Sequence, residues 1–76
     1  MNFEYEKRLG ENIHRIRIKK KLTQEQLAAK LQINGCDITR SALAKIEVGQ
    51  RHIYAYELKL LKEILDVSFD ELFVDI

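Results

Sequence analysis

The chain has 76 residues, which is room for one domain spanning residues 1–76, and it has no apolar run long enough to cross a bilayer. Hydrophobic residues make up 46% and charged residues 33%, a balance that argues against intrinsic disorder and fits a small globular protein in which every apolar stripe is needed for the core. The formal net charge of +1 hides an asymmetry: residues 1–51 hold 11 Lys/Arg against six Asp/Glu, and residues 52–76 hold two against six, which by itself fits a polyanion bound on one side and a solvated surface with chance asymmetry equally well.

Apolar spacing is helical almost throughout, there is no proline, and the three glycines fall at 10, 35 and 49. Tyr5, Leu9, Ile13 and Ile16 mark a first helix that ends near Lys20, in the basic stretch 19–21, where cations suit a helix C-terminus. Thr23, with Gln26 three residues on, reads as the capping box of a second helix that starts at Gln24 and buries Leu27, Ala28 and Leu31. Asn34 and Gly35 are its stop. Thr39 is the N-cap of a third, short helix that turns Ala42, Leu43 and Ile46 inward and ends at Gly49. A fourth helix shows Tyr54, Leu58, Leu61 and Leu65 in one stripe, widened by Leu60 and Ile64, but no Ser, Thr, Asp or Asn marks its start. Ser68 and Glu71 form another capping box, which opens a last short helix with Leu72 and Phe73 inward. The expected architecture is an all-α, compact five-helix bundle.

Cys36 is the sole cysteine, so an internal disulfide and a thiolate metal site are excluded, and neither metal nor cofactor is expected. The first six residues lack both the basic region and the apolar stretch of a signal peptide, so the expected location is the cytosol. His14 and His52 lie far apart in sequence, and no Gly-rich phosphate loop or HExxH occurs, so an enzyme is not expected.

The informative segment is 23–49. Two short amphipathic helices are joined by a connection, and the outward face of the second, Arg40, Ser41, Ala44 and Lys45, is small or basic. A face of that kind fits the major groove, where Arg and Lys donate to guanine and Ser bonds several bases. Reading bases from the start of such a helix is the helix-turn-helix geometry. Gln24 sits in the first turn of the preceding helix, where phosphate is attracted by free N–H groups and the helix dipole. With Thr39, Arg51 and His52 it forms the expected set of phosphate contacts, which fix register without reading sequence. Taken singly, Arg40 and Lys45 are equally a solvated face and His52 an ordinary surface histidine; their joint placement around one short helix favours binding.

These residues resemble the Cro/phage-repressor helix-turn-helix family, also called the XRE family. The resemblance is carried by Leu9-Gly10-Glu11-Asn12-Ile13, Ile16-Arg17, Leu22-Thr23-Gln24-Glu25-Gln26-Leu27-Ala28, Ile38-Thr39-Arg40-Ser41, Leu43-Ala44-Lys45-Ile46-Glu47 and Gly49, with a matching tail from Leu65 to Phe73. It implies a lambda-repressor-like five-helix fold, a phosphate-binding role for Gln24, base reading by Arg40, Ser41 and Lys45, and an internal salt bridge between Arg17 and Glu47. Two departures stand out. The connection at residues 32–37 is longer than the family's, either lengthening the second helix or forming a loop, and Ile53-Tyr54 replaces the proline before the fourth helix.

The resemblance implies a sequence-specific double-stranded DNA-binding transcriptional regulator, a repressor acting as a homodimer. Leu72, Phe73, Val74 and Ile76 are the expected dimer surface, unless Leu72 and Phe73 only finish the core. The alternative on the same fold is an antitoxin or protein-interaction module, with a protein partner such as a toxin meeting residues 32–37.

Overall fold

A computed structural model describes residues 3–76 as five helices, α1 Phe3–Lys19, α2 Gln24–Ile33, α3 Arg40–Glu47, α4 Ala55–Leu65 and α5 Phe69–Leu72, with no strand among the described residues. Leu9, Ile13 and Ile16 of α1, Leu27 and Leu31 of α2, Leu43 and Ile46 of α3, and Leu61 and Leu65 of α4 meet in one core that Leu72 closes. The stripes are shorter at their ends than periodicity predicts. Tyr5 is 43% exposed, and Tyr54, which lies just before α4, is 53% exposed. Periodicity marks a direction from a helix axis, but the core is only as long as its neighbouring helices.

Local chemistry sets the helix ends. Thr23, Thr39 and Ser68 each accept a backbone N–H from the first turn of α2, α3 and α5. Gly35 (φ 87°) and Gly49 (φ 76°) take the left-handed conformation and let the chain close paired backbone bonds behind α2 and α3, Cys36 N–H to Leu31 O and Gln50 N–H to Lys45 O. The unmarked start of α4 is set from inside the helix. Glu57 accepts the Tyr54 N–H at 2.9 Å, which is half of a capping box.

The long connection after α2 does both things open to it. The helix continues to Ile33, and a loop then carries Cys36 and Ile38 into the core, at 0% and 1% exposure. Gln32 Nε2 donates to Ile38 O at 2.6 Å across the loop. The insertion is therefore pinned by two buried side chains, and burial pushes the Cys36 thiol pKa up. Leu72 is fully buried and Phe73 packs against the core, so Leu72 is not available to a partner. The tail beyond α5 lies along α1, where Asn12 Nδ2 donates to Leu72 O at 2.8 Å and Val74 O at 2.9 Å.

What positions α3 is its crossing with α1. Gly10 allows backbone contact there: a Cβ at this position would overlap the Ile46 carbonyl oxygen. Gly49 makes a second close approach, since its Cβ would stand 2.7 Å from Lys7 Cα. Beside this contact Glu47, 4% exposed, accepts Arg17 Nε on Oε2 at 2.6 Å and Arg17 Nη2 on Oε1 at 2.9 Å. His14 Nδ1 at 2.8 Å and Gln24 Nε2 at 3.1 Å converge on the same Oε1. One carboxylate thus joins α1, α2 and α3. Burial pushes its pKa up, but the hydrogen bonds from Arg17, His14 and Gln24 outweigh burial and hold it below the ordinary value.

Removing one partner of a buried ion pair strands the other. Glu47→Ala is expected to cost about 3 kcal/mol or more, read as a fall in Tm of about 12 °C or more by thermal melting; an unchanged Tm would show that the cluster does not hold the fold. A carboxyl with a depressed folded pKa stabilises fully above its unfolded value, about 4.3 for Glu, and loses that contribution as pH falls through the lower folded value. Glu57 is depressed in the same sense, with Arg51 and the Tyr54 N–H overcoming burial. The urea midpoint is therefore expected to drop as pH falls from about 5 toward 2, and to drop less in Glu47→Gln.

Candidate nucleic-acid interface

Eight residues form α3, and the cap at Thr39 and the turn at Gly49 keep it that short. Leu43, Ile46 and Glu47 are buried on one side. Arg40, Ser41 and Lys45 are exposed on the other, with Ala44 half-buried between them. No acid lies on the outward face, because the one carboxylate of α3 is turned into the bundle. This face is convex and polar, and its small central residues would let another molecule approach closely.

An open cleft runs from the corner between α1 and α2 to the start of α3. Arg17, Lys21, Thr23, Gln24, Glu25 and Arg40 are among the residues that line it. Gln24 is half-buried in the first turn of α2, with one amide proton donated to Glu47 and the other without a hydrogen bond among the described residues. Lys21 stands at the corner with φ 60°, where the chain turns from α1 into the cap of α2. The Thr39 hydroxyl accepts the Ala42 N–H, so its oxygen is already used in capping and its own proton is what remains to donate.

The chain beyond α3 is organised by two further carboxylates. Arg51 makes a bidentate pair with Glu57, Nη1 to Oε1 at 2.9 Å and Nη2 to Oε2 at 3.0 Å, and also donates to His52 O. The Glu57 side chain is 2% exposed, and the Arg51 pKa is raised chiefly by this contact. His52 Nδ1 lies 2.7 Å from Oε1 of Glu6 on α1. The charge of Arg51 is thus balanced inside the protein, and His52 is tied to α1. Sequence alone shows Arg51 and His52 as free polar groups. The Arg51 partner lies six residues on and could have been suspected from the Arg-x-x-Tyr-x-x-Glu spacing, but nothing local announces Glu6. Tyr54 and Tyr56 lie beside them with rings 14° from parallel and centroids 6.4 Å apart; sequence reasoning placed Tyr54 in the core stripe of α4 and did not single out Tyr56.

Of the residues expected at the interface, Gln24 and Arg40 are brought to one cleft, and Ser41, Ala44 and Lys45 continue along the α3 face. Arg51 and His52 stand apart from that cleft. No group of three or more His, Cys, Asp or Glu that could hold a metal occurs among the described residues. Among them, no helix is long and apolar enough to cross a membrane.

None of the curated proteins matches the chain in sequence. Among solved structures it is similar to the crystal structure of the DNA-binding domain of BldD, with a TM-score of 0.80 and 26% identity over 96% of this chain and 99% of that one. The helix-turn-helix family model matches residues 13–72, from the middle of α1 to the end of α5. By that match, and by the five-helix fold with its capped α2 and α3, the chain belongs to the Cro/C1-type (XRE) helix-turn-helix family.

Proposed function

We propose that this protein is a sequence-specific double-stranded DNA-binding transcriptional regulator that acts as a homodimeric repressor. The observation that carries the reading is the outer face of α3: Arg40, Ser41 and Lys45 are exposed on a helix whose opposite side is anchored in the core. Such a helix fits the major groove, with Arg40 and Lys45 donating to guanine edges and Ser41 bonding a neighbouring base. The family match supports DNA as the ligand, as does the likeness to a domain described as DNA-binding.

Gln24 is assigned to a phosphate beside the recognition helix, presented by the first turn of α2. Thr39, Arg51 and His52 serve the backbone in a supporting role, since each already spends a polar group inside the protein. The 32–37 connection is assigned to structure, because Cys36 points inward.

Repression requires only occupancy of the duplex. The dimer reading is supported by exposed apolar side chains where the C-terminal tail lies along α1. Tyr5 (43%), Val74 (43%) and Ile76 (39%) are exposed there, and the Tyr5 ring lies 6.2 Å from that of Phe73. One domain has a limited interface, so two half-sites supply the specificity of a regulator.

Selection of bound duplexes from a random pool is expected to recover an inverted repeat with half-sites about 34 Å apart; a single unrepeated site would rule out the symmetric dimer, and no enrichment would rule out sequence-specific binding. On the selected duplex, Arg40→Ala or Lys45→Ala is expected to lose about 1–3 kcal/mol and to relax preference at one base position. Gln24→Ala is expected instead to weaken all duplexes alike, in a filter-binding or anisotropy titration. Unchanged binding by both α3 variants would exclude this helix as the reader.

A further inference from the structure

His14 stands one turn before Arg17 on α1, and its Nδ1 is 2.8 Å from Glu47 Oε1. Glu47 is buried and held ionised by Arg17, so its oxygens only accept. Nδ1 must therefore carry a proton and donate. This fixes the chemistry of the other ring nitrogen: Nε2 is a bare acceptor when the ring is neutral and a donor when it is charged. The side chain is 53% exposed, and no hydrogen bond holds Nε2 among the described residues.

Gln24 donates to the same Oε1 at 3.1 Å. The amide of Gln24 and the imidazole of His14 are thus neighbours on one carboxylate, separated by no more than the sum of those two distances. Three elements face the ring: Glu47 from α3, the neutral Gln24 from α2, and Arg17 from α1 itself, with Nη2 at 3.2 Å from Nδ1. The Arg17 cation opposes a charge on the ring and the Glu47 carboxylate favours it. A phosphodiester arriving at Gln24 adds a second anion beside the ring.

We propose that His14 is a further DNA-contacting residue, which donates from Nε2 to the phosphate met by Gln24 and takes up one proton from solvent as the duplex docks. Phosphodiester oxygens only accept, so the contact requires the imidazolium. The arrangement has a built orientation: a buried carboxylate aims the ring, and the exposed nitrogen makes the contact. This inference rests on the DNA-binding reading and adds to it a pH dependence that the α3 face alone does not supply.

The test uses the full chain and its selected duplex. Wild type, His14→Asn and His52→Gln are titrated at pH 6 and pH 8, each at two or more salt concentrations. Asn keeps an amide donor near the place of Nδ1, so the Glu47 cluster retains a partner while the outer nitrogen is lost; thermal melting of each variant checks this. Wild type is expected to bind about tenfold more tightly at pH 6 than at pH 8. Its salt slope is expected to be steeper at pH 6 by roughly 0.9, the signature of one more neutralised phosphate. His52→Gln, which removes a side chain already assigned to the DNA backbone, weakens binding at both pH values but keeps both differences, whereas His14→Asn loses both while binding the duplex at pH 8 within a few-fold of wild type. The proposal is overturned if His14→Asn, folded as wild type, shows the same pH and salt behaviour. A wild type that binds no duplex at either pH overturns it together with the DNA-binding reading, and that outcome is visible before any variant is compared.

Discussion

A single carboxylate sets the angle at which this protein presents its third helix. Glu47 lies at the last position of α3 and is buried, and every group that satisfies it comes from another helix: Arg17 and His14 from α1 and Gln24 from α2. A buried carboxylate left unpaired would be costly, so its partners are drawn in together. The bidentate geometry of Arg17 adds direction to that attraction. The two glycines complete the constraint from the steric side, since Gly10 and Gly49 let α3 and the turn after it touch the α1 backbone. Charge fixes how α3 is rotated, and backbone contact fixes how near it lies.

The same arrangement explains why the outward face of α3 is so plain. With Glu47 turned inward, the remaining side chains facing solvent are Arg40, Ser41, Ala44 and Lys45, and none repels a polyanion. Gln24 links structure and function most directly, because its amide supports Glu47 while its position in the first turn of α2 opens onto the cleft with Arg40. On the proposed reading, the phosphate position and the angle of α3 are joined through one oxygen atom.

Around this centre, two other buried carboxylates repeat the device. Glu57 holds Arg51 and the backbone at the start of α4, and Glu6 holds His52. Arg51 and His52, which read in the sequence as free surface groups, are braces for the chain leaving α3. Glu6 Oε2 is buried without a hydrogen-bond partner among the described residues, so this last brace is only half satisfied there. The basic excess of residues 1–51 survives this pairing, because Arg17 and Arg51 are withdrawn together with Glu6 and Glu47 and leave nine Lys/Arg against four Asp/Glu.

Caps, stops and the core face of each helix were legible in the linear chain because their causes are local: Thr23 reaches Gln26, Thr39 reaches Ala42, Ser68 reaches Glu71, and Gly35 and Gly49 need nothing distant to take a left-handed turn. The outward face of α3 was legible for the same reason, since a helix period assigns faces within a few residues. Where each stripe stops was decided only on folding. Tyr5 and Tyr54 continue the apolar spacing but lie beyond the ends of their neighbours, whereas Cys36, in a connection with no period, fills a gap in the core. The placement of His14 on Glu47, 33 residues away, and of His52 on Glu6, 46 residues away, likewise depended on the crossing of α1 with α3. Side-chain partners across a helix crossing follow from rotation and separation of the axes, and those arise only when all the stripes are buried against one another at once.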